Sequence, residues 1–134
     1  MPNAVDTNVL VRFLVDDGSG QVGIARRVFD RGAVFVPASV MLESEWVLRS
    51  GFGVDKERVC EAFSRILNMT GVTIEQADTV SQAVEAHRSG MEFADALHLF
   101  SSSECGAFYT FDTDFRRSAK RLSEAITVLS PETA

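Results

Sequence analysis

Short apolar runs alternate with amphipathic stretches along the chain. The runs NAVDT, AVFVP, VTI, AFYTF and ITVLS predict strands, and the apolar positions between them recur at the three- and four-residue spacing of helices. The stretch 22–32, for example, places Val22, Ala25, Val28 and Phe29 on one helical face and ends at a glycine. Strands that alternate with helices predict an α/β fold, a three-layer α/β/α sandwich with a mainly parallel central sheet.

Polar and small residues mark the predicted boundaries of these elements. Ser39 is predicted to cap the helix after the second strand, and Asp55 to begin the next helix. Residues 16–21, DDGSGQ, predict a turn because Ser and Gly interrupt the helical pattern. The final PETA is expected to be frayed. Because no linker or internal repeat divides the sequence, a single domain is predicted over residues 1–134.

Composition is that of an ordinary globular protein, with 134 residues, 46% hydrophobic and 24% charged. The apolar runs are too short to span a bilayer, and Asp6 interrupts the first of them, which argues against a signal peptide. Cys60 and Cys105 lie far apart without metal-ligand spacing, and both are interpreted as buried small hydrophobic residues in a reducing compartment. The expected location is therefore cytoplasmic.

The net charge of −6 argues against a protein that binds nucleic acid through general electrostatic attraction. It does not exclude a nuclease, because acids that bind a metal ion count as negative until the ion is bound. Two basic clusters are interpreted as solvated helix faces, with phosphate contact as the alternative. They consist of Arg26, Arg27 and Arg31, and of Arg116, Arg117, Lys120 and Arg121.

Two groups of acids follow predicted strands. Asp6 either caps the next helix or faces a functional crevice, since crevices in parallel sheets lie beyond the carboxyl ends of the strands. Thr7 and Asn8 are able to satisfy the helix start, which would leave the Asp6 carboxylate free. Asp112 and Asp114 follow the fourth strand, and two acids at that spacing exceed what capping needs.

Further acids fall on predicted helices. Glu43 has valines and a tryptophan three and four positions away, so it is predicted to lie on a largely apolar face, where a carboxylate needs a partner. Glu45 is predicted to form an exposed ion pair with Arg49. Asp95 shares its helical face with Glu92, and the two carboxylates repel each other unless a metal ion or basic group lies between them; the alternative is that Glu92 is only a first-turn acid.

Oxygen ligands of this kind select Mg²⁺ or Mn²⁺. The sequence has no Cys/His set for zinc, and His87 and His98 are interpreted as a surface and a partly buried residue rather than as ligands. It also lacks a Ser-His-Asp arrangement, a phosphate-binding glycine loop and a dinucleotide fingerprint.

Four motifs, AVDTNVLVRFLVDD, LESEWVLRSGFG, FADALH and YTFDTDF, in this order and spacing, resemble those of PIN-domain ribonucleases. Within that family the resemblance is to the VapC-type toxins of type II toxin–antitoxin systems, and it extends from about residue 3 to the last strand. It implies a metal-dependent endoribonuclease that uses Mg²⁺ or Mn²⁺ and hydrolyses RNA phosphodiester bonds. It also implies a homodimer and a cognate antitoxin protein that covers the active site.

The resemblance also implies roles for individual residues, with Asp112 and Asp114 left as alternatives for the fourth acid. Glu92 matches a position that is often acidic and is implied to assist a second metal ion. The residues implied to be catalytic and to bind metal are Asp6, Glu43, Asp95, Asp112 and Asp114. The polar residues implied to support them are Thr7, Asn8 and Thr110.

Two other functions stay open. Haloacid-dehalogenase-like phosphatases and response-regulator receivers also place acids at strand ends. The phosphatase needs an Asp where this chain has Asn8, however, and the receiver needs a Lys near its last strands, whereas the lysines here are Lys56 and Lys120. A catalytically inactive PIN-like module that binds RNA or protein would be indicated by lost acids, and none of the matched acids is lost.

Overall fold

The computed structural model describes residues 1–15 and 18–134, which form two compact units, Met1–Ser81 and Gln82–Ala134. The first two positions of the predicted turn at 16–21 lie outside the described residues, and the following helix already begins at Gly20. No helix in the part of the chain that is described is long and apolar enough to cross a membrane.

Strands and helices alternate in the first unit, as the apolar pattern predicts. In chain order the elements are β1 (Asn3–Ala4), α1 (Thr7–Leu14), α2 (Gly20–Asp30), β2 (Val34–Val36), α3 (Ala38–Trp46), α4 (Lys56–Leu67), β3 (Val72–Ile74) and α5 (Ala77–Arg88), the last of which continues into the second unit. A π-helical turn, Val47–Gly51, follows α3 directly.

The three strands of the first unit pair in the order β1-β2-β3, and both pairings are parallel. Asn3 lies opposite Val34, and Val34 lies opposite Val72. Parallel pairing follows from the connections, because each pair of strands is joined through helices rather than through a tight turn. The hydrogen-bond ladder continues one residue past β1, where the Val5 amide donates to the Phe35 carbonyl over 3.2 Å, so Asp6 follows a residue that the sheet holds in place.

The predicted face of α2 is the one that packs inward, since Val22, Ala25 and Phe29 are all buried. The Phe29 ring stacks on the Phe13 ring of α1, with centroids 3.8 Å apart and an interplanar angle of 13°. Such an aromatic pair contributes about 1 kcal/mol beyond the area that it buries. The contact ties α1 to α2, so the helix that begins after Asp6 has a fixed position within its unit.

The sequence predicts the N-terminal cap of α4 correctly and that of α3 wrongly. Asp55 caps α4 as predicted, because its Oδ1 accepts from the Arg58 amide over 3.0 Å. The prediction of Ser39 as the cap of α3 is wrong, because Pro37 occupies the cap position and the helix begins at Ala38. Oε1 of Glu75 accepts from the Ala38 amide over 2.8 Å. A side chain distant in sequence therefore satisfies a helix-start donor that a local cap would otherwise satisfy.

The second unit contains two strands and two complete helices in its described residues. In chain order these are α6 (Phe93–Phe100), β4 (Phe108–Tyr109), α7 (Thr113–Leu122) and β5 (Val128–Leu129), followed by a 3₁₀ turn (Pro131–Thr133). β4 and β5 pair in parallel, with Phe108 opposite Val128. The expectation that the final PETA is frayed is wrong, because the Ser130 hydroxyl accepts from the Glu132 amide over 3.3 Å and begins this turn.

The predicted burial of the two cysteines and the two histidines is correct for one residue and wrong for three. Cys60 is buried as expected, but Cys105 is exposed, because α6 ends at Phe100 and a run of turns follows it. His87 is buried rather than on the surface, with Nδ1 2.7 Å from the Met91 carbonyl oxygen. His98 is exposed rather than partly buried. The strands and their pairings confirm an α/β fold with parallel strands; the single domain over residues 1–134 stays a prediction.

Candidate functional site

Asp6 lies at the junction of β1 and α1 and caps the helix. Its Oδ1 accepts a hydrogen bond from the Val9 amide over 3.0 Å, and its backbone is extended, as a cap residue requires. The expectation that Thr7 and Asn8 satisfy the helix start is therefore wrong, because Asp6 does so itself. Capping uses one oxygen of an exposed carboxylate, and the second oxygen stays available to a ligand.

Thr7 connects this junction to Glu43. Its Oγ1 donates a hydrogen bond to Oε1 of Glu43, so the first turn of α1 is tied to α3 through the two side chains. This contact fixes the direction of the Glu43 carboxylate. Asn8 is exposed and lines a small groove with Val9 and Ile24, on the surface of α1 and α2.

The burial of Glu43 and Glu45 is the reverse of the prediction. Glu43 is exposed, whereas Glu45 is only 3% exposed and forms its ion pair with Arg49 from inside the unit, with Oε2 2.9 Å from Nε. The inward face is formed by residues at the i, i+3, i+4, i+7 spacing. These residues are Met41, Ser44, Glu45 and Leu48.

A serine and a glutamate on that inward face weaken the apolar pattern, and this is why periodicity alone selects the wrong side of α3. Trp46, counted as part of the apolar face in the prediction, is 60% exposed. The burial argument for a functional Glu43 is therefore wrong. The evidence for a functional role of Glu43 is then its hydrogen bond with Thr7 and its place in the matched motif.

A second group of acids lines an open cleft of about 430 Å³ within the second unit. The cleft lies against the start of α6 and the start of α7, where the helix dipoles favour negative side chains. Its polar lining consists of Glu92, Asp95, Asp112, Asp114, Arg117 and Ser118.

Asp95 is the half-buried member of this group, and its environment disfavours the charged form. Burial raises the pKa of its carboxyl above the ordinary value of 3.8. The negative charge of Asp112 raises this pKa further, as does that of Glu92 to a smaller extent, while His98 lowers it. The repulsion predicted between Glu92 and Asp95 is thus present, and Asp112 adds a second negative neighbour from a different helix.

Asp112 is held more firmly than Asp114. As the cap of α7, Asp112 accepts at Oδ1 from the amides of Asp114 and Phe115, over 2.9 and 3.1 Å. Its own amide donates to Oγ1 of Thr110 over 3.0 Å, which agrees with the supporting role implied for Thr110. Asp114 is instead largely exposed and pairs with Arg117 over 3.0 Å. Of the two alternatives for the fourth acid, Asp112 is the one whose charge acts on Asp95.

The acids suit a hard divalent cation by their chemistry, because every donor is a carboxylate oxygen and their mutual repulsion is what such an ion relieves. Among residues 1–15 and 18–134, however, no three His, Cys, Asp or Glu side chains are grouped closely enough to hold one metal ion. The candidate residues lie in two groups, Asp6 with the Thr7–Glu43 pair in the first unit, and the acidic cleft in the second.

Two cleft residues were not predicted as parts of a site. The sequence places Arg117 in a basic cluster, with phosphate contact as the alternative, and gives Ser118 no role, yet both line the cleft beside the acids. The i, i+3 spacing of Asp114 and Arg117 on one helix is the signal from which their pairing was predictable.

The comparison with protein families identifies the fold. A family model for the PIN domain matches residues 4–121. No curated protein and no solved structure matches the chain. Since the match covers most of its length, the chain belongs to the PIN-domain family, and the predicted three-layer α/β/α fold class with a parallel sheet is confirmed. PIN domains are generally metal-dependent nucleases and typically use divalent ions.

Proposed function

We propose that this PIN-domain protein is a metal-dependent endoribonuclease that hydrolyses RNA phosphodiester bonds with Mg²⁺ or Mn²⁺. The observation on which the proposal rests is the acidic cleft of the second unit. There, burial and two negative neighbours raise the pKa of Asp95. A cleft that groups carboxylates and raises the pKa of one of them, Asp95, is typical of a functional site rather than of a solvated surface.

Each acid has a separate role in this proposal. In the second unit, Asp95 and Asp112 are the proposed metal ligands, with Glu92 assisting and Asp114 as the alternative to Asp112. In the first unit, Asp6 is a proposed ligand through the carboxylate oxygen that does not cap α1. A bound divalent ion lowers the pKa of a water ligand and neutralises charge on the phosphate.

Glu43 is the proposed general base. Its carboxylate is exposed, and the Thr7 hydroxyl fixes one of its oxygens, which leaves the other to accept a proton from the attacking water. Thr110 contributes by fixing the backbone at Asp112, over 3.0 Å, and so positions a ligand rather than acting on the substrate.

The biological setting is proposed from the VapC-like motifs. The protein would be the toxin of a toxin–antitoxin pair in the cytoplasm, would act as a homodimer, and would be inhibited by a cognate antitoxin that covers its acids. A short upstream reading frame that encodes a DNA-binding N-terminus would support this setting, and an isolated gene would count against it.

A cleavage assay tests the enzymatic proposal. Purified protein with Mn²⁺ or Mg²⁺ should cleave structured RNA, EDTA should stop the reaction, and Asp95→Asn should abolish it. Asp55→Asn is the matched control, because Asp55 is an exposed helix cap of α4 with no part in the proposed site. Cleavage by Asp95→Asn at the wild-type rate would contradict the assignment.

A catalytically inactive PIN-like module is the second candidate, and two structural observations favour it. Asp6 and Asp112 both serve as helix caps, and the described side chains include no group of three that is able to hold an ion. Such a protein would bind RNA and cleave none with Mn²⁺ at any enzyme concentration. No observation favours a dehalogenase-like phosphatase or a receiver, since the matched family is neither.

A further inference from the structure

The last residue of β4 and the segment that follows it each expose an aromatic side chain close in sequence to the acidic cleft. Phe111 is 75% exposed and Tyr109 is 49% exposed, whereas every other phenylalanine of the chain is buried or half-buried. Phe108, by contrast, packs inward, with its ring stacked on that of Phe115 at a centroid distance of 4.9 Å. An exposed phenylalanine contributes nothing to the core, so its position calls for another explanation.

Hydrogen bonds hold the residues on both sides of Phe111. The Thr110 amide donates to the Leu129 carbonyl over 3.0 Å, and the Thr110 carbonyl accepts from Nη1 of Arg116 over 2.7 Å. On the other side, Asp112 is fixed by its bond to Thr110 and by capping α7. Phe111 therefore projects from a rigid backbone, and a ligand that stacks on it loses little affinity to the ordering of a loop.

The chain that directly follows Phe111 combines the proposed reaction site with a positively charged helix. Asp112, the next residue, lines the acidic cleft, and the two Cα atoms are about 3.8 Å apart across their peptide bond. α7 contains one acid, Asp114, against four basic residues, and its Arg117 lines the same cleft. The Asp114–Arg117 pair is largely exposed on both sides, so little free energy opposes its exchange for a phosphate contact. The four basic residues are Arg116, Arg117, Lys120 and Arg121.

An aromatic face, a cationic helix and a hydrolytic cleft together match the chemistry of a single-stranded nucleic acid. Bases stack on aromatic side chains without regard to sequence, while Arg and Lys contact the backbone. In a duplex, base faces are covered by their neighbours and are not available for such stacking. The proposed antitoxin would also bury Phe111 where it covers the acids, but the basic residues of α7 favour a partner with a phosphate backbone.

We propose that Phe111 is a stacking platform for an unpaired base next to the cleaved phosphate, with Tyr109, two residues earlier, as a second exposed ring. The inference rests on the proposed function only in naming the bond that is cleaved. Whether Phe111 stacks on a base is tested by RNA binding alone. Stacking on Phe111 would set the preference for unpaired RNA without selecting a particular sequence.

Binding in EDTA tests the platform independently of cleavage. A fluorescently labelled single-stranded RNA of about twelve nucleotides and the same sequence in a duplex are titrated with protein, and anisotropy gives Kd. Phe111→Ala should weaken single-strand binding roughly tenfold and leave duplex binding unchanged, whereas Phe111→Trp should retain single-strand affinity. Ile24→Ala is the matched control, an exposed apolar residue on α2, 55% exposed, and it should bind as the wild type does.

The possible results show separately whether the stacking platform or the ribonuclease activity is wrong. Unchanged single-strand affinity in Phe111→Ala, or an equal loss in Ile24→Ala, would overturn the platform. The platform would also be overturned if Phe111→Ala lost self-association in analytical ultracentrifugation but kept its RNA affinity. Phe111 would then be a contact between copies of the chain. If the wild type binds single strands through Phe111 but cleaves no RNA with Mn²⁺, the platform stands and the ribonuclease activity is overturned. With an active enzyme, Phe111→Ala should raise KM for single-stranded RNA more than it lowers kcat.

Discussion

The side-chain hydroxyl of Thr7 donates a hydrogen bond to Oε1 of Glu43, which ties the first turn of α1 to α3 within the first unit. Glu43 is exposed, so this bond, rather than packing, determines where its carboxylate points. A general base has to lie within hydrogen-bond reach of the water that it deprotonates. The contact therefore makes Thr7 a positioning residue for the proposed base.

Removal of the Thr7 hydroxyl should lower the rate of cleavage without unfolding the protein. Thr7→Val keeps the shape of the side chain and loses the donor, and it should reduce kcat by about ten- to a hundredfold because Glu43 is no longer held. Thr7→Ser keeps the donor and should restore most of kcat. Single-turnover kinetics with saturating enzyme measure the step directly. Equal rates for Thr7→Val and Thr7→Ser would contradict the positioning role.

The neighbouring pair Glu45 and Arg49 should instead affect stability. Glu45 is nearly fully buried and pairs with Arg49 over 2.9 Å, so Arg49→Met removes a positive charge from beside a buried carboxylate. The free energy of unfolding in urea at neutral pH should fall by roughly 2 kcal/mol.

Arg117→Met is the control for that measurement, because it breaks an ion pair of similar length that is largely exposed. Its effect should stay within about 0.5 kcal/mol. If both substitutions cost the same free energy, the burial of Glu45 would not be the source of the difference.

The two glutamates also show where sequence reasoning reaches its limit. Alternating apolar runs and turn residues suffice to place the strands and most helices, because those signals are local. The face of α3 is different, since Ser44 and Glu45 lie inward and make its pattern ambiguous. The cap of α3 is equally non-local, because its first amide is satisfied by Glu75 from beyond β3. Contacts of this kind depend on how distant segments pack and have no signature in the sequence near the helix.

The candidate site was predictable to a similar extent. The motifs select the acids of the cleft, and the repulsion between Glu92 and Asp95 follows from helical spacing. The larger effect of Asp112 on Asp95 does not, because only the fold of the second unit brings these two residues to the same cleft. The sequence allows two uses of the Asp6 carboxylate, capping and ligand binding, and the structure shows that the capping bond is made.

The two uses of Asp6 can be separated by substitution. Asn is as good a helix cap as Asp, so Asp6→Asn should keep the wild-type stability and lose cleavage, because only the charge is removed. Asp6→Ala removes the cap as well, and it should lose about 1 kcal/mol in the free energy of unfolding in addition to activity.

Asp55→Ala provides the matched control for capping, because Asp55 makes the same 3.0 Å bond to the third amide of its helix. It should lose a similar amount of stability and keep full cleavage activity. Undiminished cleavage by Asp6→Asn would remove Asp6 from the proposed site and leave it as a cap.

The raised pKa of Asp95 predicts how metal-free protein should respond to pH. Burial is the main cause of the raised pKa, followed by the charge of Asp112. The folded state therefore binds this proton more tightly than the unfolded chain does, in which the pKa has its ordinary value of 3.8. The resulting stabilisation is complete below about pH 4 and is lost as the pH rises through the raised value. In EDTA, wild type should lose stability relative to Asp95→Asn as the pH rises above about 4, as urea unfolding at each pH measures. If the free energy of unfolding changed with pH in the same way in both proteins, the raised pKa of Asp95 would be contradicted.

Divalent ions should reverse that loss. An ion that binds the acids in the folded state neutralises the repulsion on Asp95 and stabilises the protein by mass action, by about 2.7 kcal/mol at a concentration one hundred times Kd. The melting temperature at neutral pH should therefore rise from EDTA to excess Mg²⁺ or Mn²⁺. The rise should be much smaller in Asp95→Asn, which has lost a ligand, and unchanged in Asp55→Asn, whose cap lies on α4. Equal melting temperatures of the wild type in EDTA and in excess metal would count against a metal site at these acids.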